Sequence, residues 1–191
     1  MKMIVSMDKK THGIGYKGDY LFSNSYDSYT RHKYLSGNIV VCDRIVYDNT
    51  NSKFLQHISP IVITSHPEHI HHNEFIAVEL DNFIESICKK SVNTNNFIVY
   101  TVNNLLYKEL GKYCNEIIAL EYEKKERKFY VEPDKIFPIE NLNNPSIWKC
   151  EEVECVETDS WIKKSETEVT EERVIIYHNR YIRLNQNKEE K

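Results

Sequence analysis

Three absences bound what kind of protein this sequence encodes. No apolar stretch approaches the roughly 20 residues that a membrane-spanning helix needs, so no membrane partner is expected. The opening residues, MKMIVSMDKK, have too short an apolar core for a signal peptide and instead indicate a buried strand. The net charge is −4 and no long basic run occurs, so no nucleic-acid partner is expected either.

The five cysteines form neither a CxxC pair nor any other metal-ligand spacing. An odd, scattered set without an export signal indicates a reducing compartment, and we therefore expect a cytoplasmic protein. Alanine is scarce, whereas Ile, Asn, Lys and Tyr are abundant. This bias is typical of an AT-rich genome, such as those of some low-GC bacteria and their phages.

The length and composition are typical of one soluble globular domain. A chain of 191 residues can bury roughly two-thirds of the surface that its unfolded state exposes. Hydrophobic residues make up 40% of the chain and charged residues 28%, which excludes a disordered protein. We expect a single domain over residues 1–185 and a flexible tail over 186–191.

Short apolar runs alternate with helical or turn-like stretches, which predicts an α/β domain. Helices are predicted from about Tyr26 to Tyr34 with Ser25 as the cap, from Leu80 to Lys90, and from Asn104 to Leu110. Short buried strands are predicted at Met3–Met7, Ile39–Cys42, Ile61–Thr64, Phe75–Val78, Phe97–Thr101 and Ile117–Tyr122.

The C-terminal part of the chain has a different pattern. Trp148–Val156 and Arg173–Arg183 are predicted as two long strands joined by the charged segment Glu157–Glu172. Consecutive strands without an intervening helix indicate an antiparallel hairpin on the edge of the sheet.

Three segments in register resemble the dihydrofolate reductase family. The first is Ile14-Gly15, then Leu21-Phe22, then Asp27 at a helix start, where the family has Ile-Gly, Pro-Trp and an acidic residue. The second is NIVVCDRIVYD, residues 38–48, which is similar to the family's V-I-M-G-R-x-T-W segment. The third is VEPDKIFP, residues 131–138, which matches V-E-x-D-x-x-F-P and is followed by Trp148. The resemblance implies a three-layer α/β/α fold with a central, mostly parallel sheet and a C-terminal antiparallel hairpin.

The resemblance also implies a reaction, hydride transfer from NADPH to a dihydropterin. This chemistry needs a buried carboxylate, which can accept two hydrogen bonds from an aminopyrimidine and whose raised pKa helps to promote protonation. Asp27 is the matching residue. An aspartate in the first turn of a helix often only stabilises the helix dipole. The spacing of Ile14-Gly15 and Leu21-Phe22 before Asp27 favours instead a position in the substrate pocket.

Further residues acquire roles through the same resemblance. Phe22 replaces a tryptophan of the substrate pocket, Gly15 lets a loop approach the nicotinamide, and Tyr107 stands beside the cofactor. Three residues correspond to the site of the cofactor 2′-phosphate: Arg44, Thr64 and Ser65. An arginine beside hydroxyl residues, however, often belongs merely to a solvent-exposed loop.

Several positions depart from the family pattern around the cofactor. Val102 and Asn103 replace adjacent glycines that hold a non-proline cis peptide, and such a bond costs about 3 kcal/mol. Asp43 replaces a glycine and would place a negative charge near the pyrophosphate, while Val46 replaces a threonine that caps a helix. If the Val102–Asn103 peptide is trans and the side chains fill the cleft, the cofactor hypothesis fails.

The substrate side departs as well. The segment QHISP contains no arginine to clamp the folate glutamate, and Leu120 replaces the threonine that hydrogen-bonds the catalytic carboxylate. Arg31 replaces a phenylalanine that stacks on the substrate. Arg31 is thus either a new carboxylate contact, a solvent-exposed side chain or a partner of Asp27.

Two hypotheses follow. The first is a divergent NADPH-dependent reductase of dihydrofolate or a related dihydropterin, a small-molecule enzyme, which the retained Asp27, Gly15 and Arg44 favour slightly. The second is a catalytically inactive pseudoenzyme, a phage-encoded one on the compositional hint, kept as a binding or structural module with a protein partner. The lost glycines, arginine and threonine favour this second hypothesis.

Two other clusters of side chains each allow a functional and a purely structural interpretation. The histidine-rich segment His66–His72 could bind a transition metal, but a polar loop is the expected reading and no metal site is predicted. The tyrosines at positions 20, 26, 29 and 34 are consistent either with core and rim packing or with a partner surface.

Overall fold

The structure is a computed structural model that describes residues 1–17, 19–50, 52–69, 76–90, 92–124, 131–138, 142 and 144–184. The predicted tail, 186–191, lies outside the described residues. So do residues 70–72 of the histidine-rich segment, whose preceding residues Pro67–His69 form a 3₁₀ turn.

The strands form one large sheet and one small sheet. The small sheet has the order β10-β2-β3, and the large sheet has nine strands in the order β4-β11-β12-β9-β1-β8-β5-β6-β7. In chain order the strands are β1 Lys2–Asp8, β2 Gly13–Tyr16, β3 Asp19–Tyr20, β4 Phe22–Ser23, β5 Ile39–Asp43, β6 Ser59–Ile63, β7 Ile76–Val78, β8 Phe97–Val99, β9 Glu116–Glu123, β10 Lys135–Ile136, β11 Trp148–Lys163 and β12 Val169–Arg183.

The helices of the described residues lie between these strands. They are α1 Ser25–Leu35, α2 Arg44–Asn49, α3 Ser52–Leu55, α4 Leu80–Phe83 and α5 Asn104–Gly111, with a π-helical turn, Ile84–Cys88, continuing α4. The predicted cap Ser25 was wrong, because Asn24 is the N-cap and its side chain accepts the backbone N–H of Asp27 at 2.7 Å. Asn24 is the N-cap because its extended backbone places the side-chain oxygen over the first turn of α1.

The large sheet is parallel from β7 through β6, β5, β8 and β1 to β9, and β12 and β11 add antiparallel to that edge. One hydrophobic cluster joins α4 and α5 to one face of the sheet, through residues such as Phe83 and Leu110. A second cluster joins α1, α2 and α3 to the other face, through Leu35, Val46 and Phe54. The predicted three-layer α/β/α architecture with a C-terminal antiparallel hairpin is confirmed.

The hairpin is longer than predicted. The segment Glu157–Glu172 was expected to be a charged connection, but β11 continues to Lys163 and β12 begins at Val169. Its charged side chains are compatible with strand structure because they face outward and pair across the hairpin. Asp159 lies directly opposite Arg173, and their charged groups are 3.4 Å apart.

The fold gathers the candidate site at one end of the parallel strands. In sheets of this kind, ligands bind in the crevice outside the carboxyl ends of the strands. The ends of β1, β5, β6 and β8 meet there, and α1 crosses above β1 and β9 with its first turn facing them.

Candidate active site

Asp27 lies in the first turn of α1 and is 1% exposed. Its backbone N–H is held by the Asn24 cap, and the helix N-terminus favours a negative side chain at this place. Both observations fit a residue that serves the helix. Its burial, however, also requires partners for the carboxylate, because an unpaired buried charge is strongly unfavourable.

Three side chains supply those partners. Ser6 of β1 donates from Oγ to Oδ1 at 3.1 Å, and the Tyr122 hydroxyl of β9 donates to Oδ2 at 3.0 Å. The Arg31 guanidinium completes the set, with Nε 3.0 Å from Oδ1. Both carboxylate oxygens are therefore engaged by the protein itself.

Arg31 pairs with Asp27, which decides among the three possibilities left open by the sequence. Its Nη1 also donates to the Tyr100 hydroxyl, and the guanidinium lies 5.5 Å from the ring centre of Tyr20 and 5.7 Å from that of Tyr100. Burial acts to lower the pKa of Arg31, but Tyr100 and the Asp27 carboxylate outweigh it and raise the pKa. The guanidinium is thus charged at neutral pH.

Tyr122 is a site residue that the sequence reasoning missed. Its ring stacks on Phe22 with centroids 4.2 Å apart and planes 9° apart. Its hydroxyl accepts from Asn24 Nδ2 at 2.7 Å while donating to Asp27. Burial, reinforced by the Asp27 charge and hydrogen bond, raises the pKa of Tyr122, so the phenol remains a donor at neutral pH.

Leu120 makes no polar contact with Asp27 but packs with Phe22 and Tyr122 in a third hydrophobic cluster. Leu120 and Tyr122 are two residues apart on β9 and point to the same face of the sheet. This two-residue period of the strand places Tyr122 beside Leu120, the position at which the family has a threonine that hydrogen-bonds the catalytic carboxylate. Ser6 is likewise recoverable, since it lies opposite Leu120 in the β1–β9 register.

Two cavities contain residues that the sequence assigned to the site. The first, named here the α1–α2 cavity, has a volume of about 380 Å³ and is lined by Tyr20, Arg31, His32, Phe54 and Tyr100, among others. The second, the β5–β6 cavity, has a volume of about 330 Å³. Asp27 lines neither of them.

The β5–β6 cavity brings together most of the residues assigned to the cofactor. They are Gly15, Arg44, Thr64, Ser65, Val102 and Asn103, with Asp43 beside them. Tyr107 is not among them: its ring packs in the hydrophobic cluster that contains Leu110, and its hydroxyl donates to the carbonyl of Ile4 at 2.9 Å. Burial, reinforced by Tyr100 and Asp27, raises the pKa of this hydroxyl. Gly15 pairs with β3 and β10, and a Cβ there would lie 3.1 Å from the carbonyl oxygen of Asp19.

The two helix N-termini at the β5–β6 cavity are capped by the protein's own side chains. The Asp43 carboxylate accepts from Val46 N at 2.8 Å and from the Thr101 hydroxyl, and Asn103 Oδ1 accepts from Leu105 N at 2.9 Å. Donors of this kind commonly hold phosphate groups, and here one N–H group at each terminus is already bound by the cap. Arg44 pairs with Asp48, Nε to Oδ2 2.6 Å.

Three further observations concern the peptide bonds, metal ligands and helices of the described residues. No peptide bond of the described residues is cis, so the Val102–Asn103 bond is trans, while the two side chains line the cavity without filling it. In the parts of the chain that the structure describes, no group of three or more His, Cys, Asp or Glu side chains is arranged to hold a metal ion. Those same parts also contain no helix with the length and apolar character that a membrane crossing requires.

No family model matches the chain, and no curated protein matches it. Among solved structures, it is similar to a dihydrofolate reductase from Enterococcus faecalis complexed with NADP(H) and RAB-propyl. The TM-score is 0.64 at 17% sequence identity, and the match covers 95% of each chain. The chain therefore has the dihydrofolate reductase fold along almost its entire length.

Proposed function

We propose that this protein is a catalytically silent member of the dihydrofolate reductase fold, retained as a binding or structural module. The observation that carries the proposal is the state of Asp27. Its carboxylate is 1% exposed, hydrogen-bonded by Ser6 and Tyr122, and paired with Arg31. A reductase of this kind must present that carboxylate edge to the substrate ring.

Admitting a pterin would require the internal partners to leave. Separating a buried ion pair costs about 3–5 kcal/mol when a charge is left uncompensated. Displacing Tyr122 would also break its stacking on Phe22 and its hydrogen bond from Asn24. A bidentate contact to an aminopyrimidine would offset part of this free energy. It would, however, only replace the hydrogen bonds and the ion pair that the Asp27 carboxylate already makes.

The cofactor side supports the same proposal. A dinucleotide pyrophosphate would meet the Asp43 carboxylate at the N-terminus of α2 and the Asn103 cap at the N-terminus of α5. The negative charge of Asp43 opposes a phosphate, and each cap already accepts one of the backbone N–H groups that would bind it. We infer weak or absent NADPH binding.

A second candidate is the reductase hypothesis, NADPH-dependent reduction of a dihydropterin. The α1–α2 and β5–β6 cavities favour it, since the first is lined by Arg31, the ion-pair partner of Asp27, and the second by most of the residues assigned to the cofactor. The similar structure from Enterococcus faecalis contains NADP(H). In this alternative, Arg31 and Tyr122 rotate away from Asp27 when ligands bind.

The test combines NADPH binding, by calorimetry or fluorescence, with dihydrofolate turnover of the wild type and Asp27→Asn. We expect no saturable binding up to millimolar NADPH and no turnover, with an active bacterial dihydrofolate reductase as the positive control. Micromolar NADPH binding together with turnover that Asp27→Asn abolishes would overturn the proposal and establish the reductase.

A further inference from the structure

A third cavity lies on the opposite side of the sheet from Asp27 and is part of neither site described above. It has a volume of about 430 Å³, within the range of small-molecule sites. We name it the α5 cavity because α5 forms one wall. Its aromatic and apolar lining includes Met3, Tyr107, Phe137, Leu142 and Trp148.

Cations surround this apolar lining. Lys108 lies in α5, and Lys112, the C-cap residue of that helix, follows it by four residues, so the two lie on the same side of the helix. Arg183 comes from the end of β12. Lys112 pairs with Glu109. Within the described residues, no carboxylate lies at ion-pair distance from Lys108 or Arg183. The described lining of the cavity is therefore electropositive, in a chain whose net charge is −4.

Arg183 is held in place at this cavity. Its Nη2 donates to the carbonyl oxygen of Gly111 at 2.7 Å, and its guanidinium lies 4.6 Å from the ring centre of Trp148. Its Nε is buried without a hydrogen-bond partner among the described residues. A buried donor in this state is unfavourable, and an acceptor atom of a ligand would satisfy it.

From these contacts we infer that the α5 cavity binds a small aromatic anion, a planar ring that carries a carboxylate, sulfonate or phosphate group. The ring would lie among Phe137, Trp148 and Met3, and the anionic group would meet Lys108 and Arg183. Because the attraction to Lys108 and Arg183 is screened by salt, binding should weaken as the ionic strength rises. The apolar lining favours an aromatic anion over an inorganic one. The inference does not depend on whether the Asp27 centre is active.

The test uses 8-anilinonaphthalene-1-sulfonate as the probe, since this dye is both aromatic and anionic. The chain has two tryptophans, and Trp161 is 50% exposed on β11, whereas Trp148 is 5% exposed beside the cavity. In a Trp161→Phe protein, Trp148 is the only tryptophan, so transfer of its fluorescence to the dye reports binding close to it.

The decisive variant is Lys108→Glu in the Trp161→Phe background. Lys108 is exposed, so reversing its charge does not disturb the core, and a melting curve checks this. We expect saturable dye binding that weakens about five-fold in Lys108→Glu. The matched control is Lys90→Glu, an equal change of net charge at an exposed lysine away from the cavity, which should alter binding less than two-fold.

Three results would overturn the inference. They are no saturable dye signal up to millimolar concentration, an unchanged affinity in Lys108→Glu, and an equal loss in Lys90→Glu. The readout is independent of NADPH binding and of dihydrofolate turnover. Failure here therefore leaves the proposed function untouched, and activity at the Asp27 centre leaves this inference untouched.

Discussion

Replacing Arg31 by methionine removes the positive partner of Asp27 while keeping an unbranched side chain of similar length. The side chains of Asp27 and Arg31 are 2% and 19% exposed, and their charged atoms are 3.0 Å apart. Such a pair belongs to the buried class, where loss of one partner costs about 3–5 kcal/mol, rather than to the surface class, where it costs about 0–1 kcal/mol. Ser6 and Tyr122 remain as neutral donors to the carboxylate, which places the expected loss near the lower limit, about 3 kcal/mol.

The assay is urea unfolding at neutral pH, with thermal unfolding as a second measurement. A loss of about 3 kcal/mol lowers the melting temperature by roughly 10 °C for a domain of this size. The matched control is Arg44→Met, since Arg44 and Asp48 form another i,i+4 pair whose side chains are 45% and 49% exposed. We expect that control to cost less than about 1 kcal/mol.

The double variant Asp27→Asn/Arg31→Met measures the interaction free energy between the two side chains. Because it removes both charges, it should be more stable than Arg31→Met alone. If Arg31→Met destabilises no more than Arg44→Met, or if the double variant recovers nothing, the argument that Asp27 is sequestered by Arg31 is refuted. The proposal that the site is silent would then lose its main support.

Three further predictions concern neighbouring groups. Tyr122→Phe keeps the ring stacked on Phe22 but removes the donor to Asp27, so unfolding in urea should show a loss of about 1–3 kcal/mol; no loss would mean that the hydrogen bond is not formed. Asp43→Ala removes the cap that accepts Val46 N and should cost about 1 kcal/mol, with NADPH affinity as a parallel readout. Burial lowers the pKa of His178, so its folded state binds fewer protons than the unfolded state. The contribution of neutral His178 to the free energy of unfolding is therefore fully present above the unfolded pKa of about 6.5 and is lost as the pH falls below it. His178→Asn should make the free energy of unfolding depend less on pH in this range.

Much of the fold follows from local sequence patterns. The short apolar runs predicted the strands of the parallel core because buried strands need continuous β-branched and aliphatic residues. The hairpin was recognised, but its extent was underestimated, since charged outward residues on a half-exposed strand are the same residues that form solvated loops. The Ser25 cap was wrong because Asn24 and Ser25 are adjacent cap-forming residues, and only the backbone geometry distinguishes them.

The candidate site was predictable in part. The position of Asp27 at a helix start and the gathering of Arg44, Thr64 and Ser65 at one cavity follow from the order of elements in the chain. The role of Tyr122 was missed because the resemblance directed attention to Leu120, two residues earlier on the same strand face. For Arg31, the sequence left three orientations open, and a helical position alone cannot choose among them.

The sequence by itself determined the layered α/β class, the order of the strands and helices, and the presence of a carboxylate in the first turn of α1. Only the tertiary structure decided what that carboxylate contacts. Ser6 and Tyr122 are 21 and 95 residues away from Asp27 along the chain, on strands whose register brings their hydroxyl groups beneath α1. Contacts of that separation depend on strand register and side-chain rotamers, which are set by packing of the whole core rather than by any local pattern.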